Sequence, residues 1–202
     1  MLNILLIDSN YYQVSGLSFL ITDNVNERDI AEFCFLLPSE KKSFDIANVI
    51  LQDLIVTIQV FKKSNKKLLS RENNFDNEKI IVHVPFFTKN QSIKDISFKM
   101  EKILSIAITD YNILTQREEA IWKLGLKEYA QLSDNESNIM IMIGQGYNID
   151  DISKRLKRSR KTIRTHYRNA KRKMGFTNIA EFCRFASFIA NCSEEERNTI
   201  CI

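Results

Sequence analysis

Between Lys154 and Lys173 the chain carries eleven basic residues and not one acid. Charge at that density cannot be buried, because each unpaired cation would lose its hydration without compensation. Yet Ile163, Tyr167, Ala170 and Met174 recur in and beside this stretch at spacings of four, three and four. That spacing puts them on one face of a helix, and such a face needs a core to pack against. Lys161, Arg164, Thr165, Arg168 and Arg172 fall on another face at the same helical spacing. The segment is therefore predicted to be a helix with one side in a core and the other offered to a polyanion. The whole chain has 29 Lys and Arg against 25 Asp and Glu, so outside this block it is acidic on balance. A basic block on an acidic body points to nucleic acid or a membrane surface as the local partner.

A basic run alone could be a solvated helix face, and the residues around it decide otherwise. Leu132-Ser133-Asp134-Asn135-Glu136 reads as a capping box, with Ser133 and Glu136 each satisfying the other's amide. Ile139, Met140 and Ile143 continue that first helix, and Gly146 ends it. Asn148 caps a second helix whose inward residues are Ile149, Ile152 and Leu156, with Asp150 and Asp151 at its positive end. Lys157-Arg158 makes a tight turn, and Ser159 caps the basic helix. A fourth helix from about Asn178 carries Ile179, Phe182, Phe185, Ala186 and Ile189.

These residues resemble the LuxR/FixJ-type helix-turn-helix. The family pattern is met by Leu132, Ser133 and Glu136, by Gln145-Gly146, by Ile152-Ser153, by Ser159, Lys161, Thr162, Ile163 and His166, and by Arg172-Lys173-Met174-Gly175. The resemblance implies a DNA-binding transcription regulator. It implies base reading by Arg164, Thr165 and Arg168, and contact with the DNA backbone by Lys161, Thr162, Asn169, Arg172 and Lys173. It also implies pairing of two copies through the fourth helix. Arg158 and Lys171 stand where the family usually has apolar residues, and Arg160 replaces a common acid. The overall pattern is similar to auxiliary regulators of capsule or fimbrial genes.

The N-terminal half alternates apolar runs with helical spacing, as an α/β domain with a parallel sheet does. Residues 2–7, 30–37, 48–51 and 80–84 are predicted strands. Val14, Leu17, Leu20 and Ile21 mark one helix, and Ile93, Ile96, Met100, Ile103, Leu104 and Ala107 mark another. Residues 62–79 are polar and read as a surface loop or short helix. Asp8, Asp53 and Lys89 resemble the acidic, acceptor and lysine positions of a response-regulator receiver domain. Such a site uses clustered carboxylates to hold Mg²⁺ around an aspartate nucleophile. Here Ser9 replaces the second acid beside Asp8, Thr88 is an ambiguous hydroxyl candidate, and the stretch from Asp53 to Lys89 is about one βα unit short. The expectation is a truncated, degenerate receiver that acts through protein contacts, with Asp8 and Asp53 as solvated turn carboxylates that hold no metal and Asp53 as a phosphoacceptor only in the alternative reading.

The expected organisation is a receiver-like domain at 1–108, a partly helical linker at 109–131, an all-α four-helix DNA-binding domain at 132–190 and a tail at 191–202. No Walker loop, HExxH or GxSxG occurs and His83 and His166 are the only histidines, so neither an enzyme nor a cofactor is expected. Cys34, Cys183, Cys192 and Cys201 lack zinc-site spacing and read as reduced thiols. The N-terminus lacks a signal-peptide pattern and no apolar run of membrane-spanning length occurs, so a cytoplasmic protein is expected. The expected partners are double-stranded DNA and a second regulator chain, as homodimer or heterodimer, with no membrane. The other functions kept open are an interaction protein that titrates a partner regulator and an Mg²⁺-dependent phosphorelay receiver acting through Asp53.

Overall fold

The computed structural model describes residues 1–8, 10–27, 32–62, 78–87 and 91–202. Ser9, Thr88, Lys89 and most of the polar stretch 62–79 lie outside the described residues. The N-terminal part is a five-stranded sheet with helices on its faces, and the C-terminal part is all helical.

The strands are β1 (Leu2–Ile7), β2 (Phe33–Leu36), β3 (Val49–Gln52), β4 (Ile55–Phe61) and β5 (Lys79–Pro85), in the order β2-β1-β3-β4-β5. That is the order of the flavodoxin-like doubly wound sheet. β1 pairs with β2 and β3 in parallel, as expected. β4 reverses: it is antiparallel to both β3 and β5. The wholly parallel sheet expected from the sequence is thus corrected to a mixed one, with four strands in one direction and β4 against them. The physical reason is connection length. Gln52 pairs with Ile55, so only Asp53 and Leu54 join β3 to β4. Two residues close a hairpin, whereas a parallel return needs a dozen or more. The short spacing from Asp53 to Lys89 is explained: the crossover helix between β3 and β4 is missing.

β4 was also not recognised as a strand, although its sequence alternates. Val56, Ile58 and Val60 are buried on one face, while Ile55, Thr57 and Phe61 are only half-buried on the other. The turn before it lacks the Gly that usually announces a hairpin; Asp53 adopts the left-handed conformation itself, with φ of 48°.

Helices α1 (Tyr11–Glu27) and α3 (Ile93–Ile108) cover one face of the sheet. Leu17 and Ile21 of the first, and Met100, Ile103 and Leu104 of the second, meet Ile4, Val56, Ile58 and Val82 in the main core. α2 (Lys41–Ile46) leads into Ala47, which packs on Leu5 and Ile50 on the opposite face. Two short helices, α4 (Tyr111–Leu114) and α5 (Arg117–Lys123), occupy the expected linker.

The C-terminal helices are α6 (Asp134–Gly144), α7 (Ile149–Arg155), α8 (Arg160–Lys173) and α9 (Ile179–Asn191). Met140, Ala170, Met174, Phe182, Phe185, Ala186 and Ile189 form their core, and Ile139, Ile152 and Ile163 fill the angle between α6, α7 and α8. α6 and α9 approach closely because Gly144 has no side chain. A Cβ there would stand 2.1 Å from the Ala186 carbonyl oxygen. Residues after α9 do not trail away. They return along β5, where His83 bonds the backbone of Asn198 and Ile200 on either side of Thr199. Among the described residues no helix is long and apolar enough to cross a membrane.

Candidate nucleic-acid interface

Local chemistry sets each helix of the C-terminal frame. The Ser133 hydroxyl accepts from the Glu136 amide, and the Glu136 carboxylate accepts from the Ser133 amide at 2.9 Å. This capping box satisfies two amides that the helix cannot pair itself. At the other end of α6, Tyr147 N–H bonds the Met142 carbonyl and Gly146 N–H bonds the Ile143 carbonyl. Gly146 makes this possible at a φ of 90°. The Asn148 side chain accepts from the amides of Asp150 and Asp151 to start α7. The Ser159 hydroxyl accepts from the Thr162 amide to start α8.

The turn between α7 and α8 is clamped. Lys157 takes a left-handed conformation, with φ of 49°. The Ser153 hydroxyl donates to the Arg158 carbonyl at 2.6 Å, and the Arg158 amide donates to the Ser153 carbonyl. Arg160 pairs with Asp150 at 2.8 Å, tying the first turn of α8 to the first turn of α7. Arg155 lies over the Tyr147 ring, 4.2 Å from its centre. Basic residues at family-unusual places thus have local tasks: Arg160 in that ion pair, and Lys171 in donating to the Thr177 carbonyl beyond the helix end. Arg158 is exposed.

α8 divides as its periodicity demands. Ile163 and Ala170 are buried, and Tyr167 sets its ring edge-on to Phe182 at 5.3 Å. Lys161, Arg164, Thr165, Arg168 and Arg172 are exposed. Among the described residues none of these cations forms an ion pair. Thr165 bonds only back to the Lys161 carbonyl. Thr162 is half-buried and shares a hydroxyl–hydroxyl bond with Ser159, and Asn169 is half-buried.

Lys173 differs from the other cations of the helix. Its ammonium donates to the Glu136 carboxylate at 2.8 Å and to the Gln131 carbonyl at 2.7 Å. The two side chains are only 16% and 5% exposed. Burial pushes the Glu136 carboxyl up, but the Lys173 ammonium and the Ser133 amide outweigh it and hold the group below its ordinary value. Lys173 therefore fastens the end of α8 to the start of α6. Glu136 is thus both a cap and a buried counter-ion.

α9 faces the sheet. Arg184 pairs with Asp53 at 3.0 Å, across the gap from helix to hairpin. Phe188 meets the His83 ring edge-on at 5.2 Å, and the Cys192 thiol lies 3.7 Å from His83 Nε2. His83 Nδ1 shares a hydrogen bond with the Thr57 hydroxyl at 3.0 Å. Burial pushes this imidazole down to about 4, against a smaller upward pull from Glu196. Phe87, just beyond β5, stacks at a tilt on Phe176.

Of the receiver-like positions, Asp8 and Asp53 come to the same surface cavity. Asp53 sits in the β3–β4 turn, with its carboxylate 3.0 Å from Arg184. The Asp8 carboxylate accepts from the Asn10 amide at 2.7 Å. Both aspartates border a shallow surface cavity with Gln52 and Pro38. Among the described residues no three His, Cys, Asp or Glu gather closely enough to hold a metal. Lys89 and Ser9 lie outside the described residues.

The profile of the bacterial regulatory proteins, luxR family, matches residues 130–186. That segment matches a luxR-family helix-turn-helix domain. Two solved structures of the RcsB response regulator of Salmonella typhimurium align with most of the chain. One is 16% identical and aligns 93% of this chain with 100% of its own, with a TM-score of 0.30. Another is 17% identical, with 93% and 98% covered and the same TM-score. A score that low leaves the two folds largely unsuperposed, so it bears on neither the arrangement of the regions nor the function. A search of curated proteins finds no relative that matches.

Sequence reasoning missed Gly144 and Arg184. Gly144 follows Ile143 as an interruption inside an apolar helix, which is itself a signal of close packing. Arg184 carries no local signal, because its partner is 131 residues away.

Proposed function

We propose that the chain binds a specific double-stranded DNA sequence through α8, as a homodimer or as a heterodimer with another regulator, in the cytoplasm and without phosphorylation of Asp53. One observation carries this reading: an exposed face of Lys161, Arg164, Thr165, Arg168 and Arg172 on a helix held from behind by three others. Arg164, Thr165 and Arg168 reach base edges in the major groove, where a guanidinium bonds guanine O6 and N7 together. Lys161, Thr162, Asn169 and Arg172 position the helix on phosphates and sugars. On this division residues 132–190 carry DNA binding and residues 1–108 carry protein contacts. One recognition helix reads few base pairs, so a second copy, about one helical turn away, supplies the rest of the specificity.

The test is fluorescence anisotropy with fragments upstream of candidate genes and a scrambled control, across a salt series. Specific binding should exceed scrambled binding at physiological salt. The logarithm of affinity should fall by about 0.9 per neutralised phosphate for each tenfold rise in salt. Equal, weak retention of every fragment would replace this reading with that of an interaction protein titrating another regulator.

A further inference from the structure

A cavity of about 340 Å³ lies where the β5 edge, the linker helices, the start of α6 and the returning C-terminal residues meet. Ile80, Val82, Ile121, Leu132 and Ile200 give it an apolar floor. Its charged lining residues are Arg117 and Arg197, and no carboxylate lines it. A guanidinium carries five N–H donors. Arg117 spends one on the Leu132 carbonyl at 2.8 Å. Arg197 spends two, on the carbonyls of Cys192 and Ala190, both at 3.0 Å. Neither arginine forms an ion pair among the described residues.

We infer that this cavity binds a small organic anion with an apolar body. Two like charges beside one another repel unless an anion lies between them or solvent screens them. Solvent screens Arg117, which is exposed, but water in the cavity wets the apolar floor and brings neither arginine a counter-charge. An amphipathic anion answers both: its acid group faces Arg117 and Arg197, and its hydrocarbon covers the isoleucines. Few convergent polar groups over an apolar lining, in a cleft of this size between parts of a fold, make the usual form of a ligand site. At about 30 Å³ per water-sized group the cavity suits roughly ten non-hydrogen atoms. Its walls belong to the sheet, the linker and α6 together, so an occupant holds the docked arrangement and raises the stability of the whole chain. The inference is independent of DNA binding.

The experiment titrates the full chain with octanoate, octanol and inorganic phosphate, without DNA. Trp122, exposed on α5 beside Ile121, reports by fluorescence, and calorimetry gives the stoichiometry. Octanoate should bind saturably at one site and raise the melting temperature. Octanol, with the same body and no charge, should bind at least about tenfold more weakly, and phosphate should not saturate. Arg117→Gln with Arg197→Gln should weaken octanoate at least about tenfold. Should that double variant melt early, Ser137→Leu decides, because it plugs the cavity and leaves both arginines in place. No saturable octanoate binding by the wild-type chain, or undiminished binding by Ser137→Leu, overturns the inference.

Discussion

α8 and α9 belong to one small helical domain and use their outer faces in opposite ways. α8 leaves Arg164, Arg168 and Arg172 in solvent with no acidic partner among the described residues. α9 commits Arg184 to Asp53, Phe188 to His83 and the Ser187 hydroxyl to the Gly144 carbonyl. A surface kept for a partner forgoes internal bonds and contributes little to folding. A surface turned inward contributes to folding and is not free for the same partner. The difference also bears on assembly: part of the helix expected to join two copies faces its own sheet.

Substitution behind α8 and α9 should have the largest effect. Gly144→Ala places a methyl group against the backbone of α9, which cannot yield without moving the helix. Overpacking of that kind costs about 3 kcal/mol or more. Urea denaturation should show the loss; an unchanged midpoint would mean that α6 and α9 are not in this contact.

Next is the buried pair behind α8. Glu136→Ala removes a cap and leaves the Lys173 ammonium uncompensated, for an expected loss of about 3–5 kcal/mol. Glu136→Ala with Lys173→Met should recover part of it, since an apolar pair needs no counter-charge. A double variant no more stable than the single one would break the link between α6 and α8.

Acid should loosen the α9 side through His83. Unfolded, this imidazole takes a proton near pH 6.5; folded, it refuses one until about 4. The unfolded chain therefore binds the extra proton as pH falls between those values, and stability drops by about 1.4 kcal/mol per pH unit there. Comparing wild type with His83→Phe from pH 7 to 4 isolates the contribution. Parallel curves for the two proteins would show that the histidine is not buried as described.

On the α8 side, Arg164→Ala should cost about 1–3 kcal/mol of binding at a specific site and relax one base position. Its melting temperature should stay at the wild-type value, in contrast with every change above. An equal loss on specific and random DNA would make Arg164 a phosphate contact.

Smallest of all is Asp53→Ala. The ion pair with Arg184 is mostly exposed, at 64% and 61%, and pairs of that kind contribute about 0–1 kcal/mol. DNA binding and reporter activity should stay near wild type. Loss of activity in a folded Asp53→Ala protein would establish a phosphorylation switch instead.

The helix-turn-helix was legible because its determinants are local. Ser133, Asn148 and Ser159 cap amides two or three residues away, Gly146 ends a helix within one turn, and the face of α8 follows from a period of 3.6 residues. The order of elements in the sheet was largely legible too, from apolar runs and helical spacing. The direction of β4 was not, because a two-residue turn without Gly gives no warning, and the alternation of Val56, Ile58 and Val60 does not say which neighbour the strand pairs with. The roles of Lys173, Asp53 and His83 were decided only by tertiary structure. Lys173 reads as one more cation in a basic run until Glu136 is brought to it from 37 residues away. Asp53 carries no local sign of its ion pair with Arg184, and His83 reads as a strand residue until α9 and the returning chain bury it. Charge and periodicity act along the chain and can be read there. Burial and pairing across 100 residues depend on how the parts pack, and the chain alone does not display that.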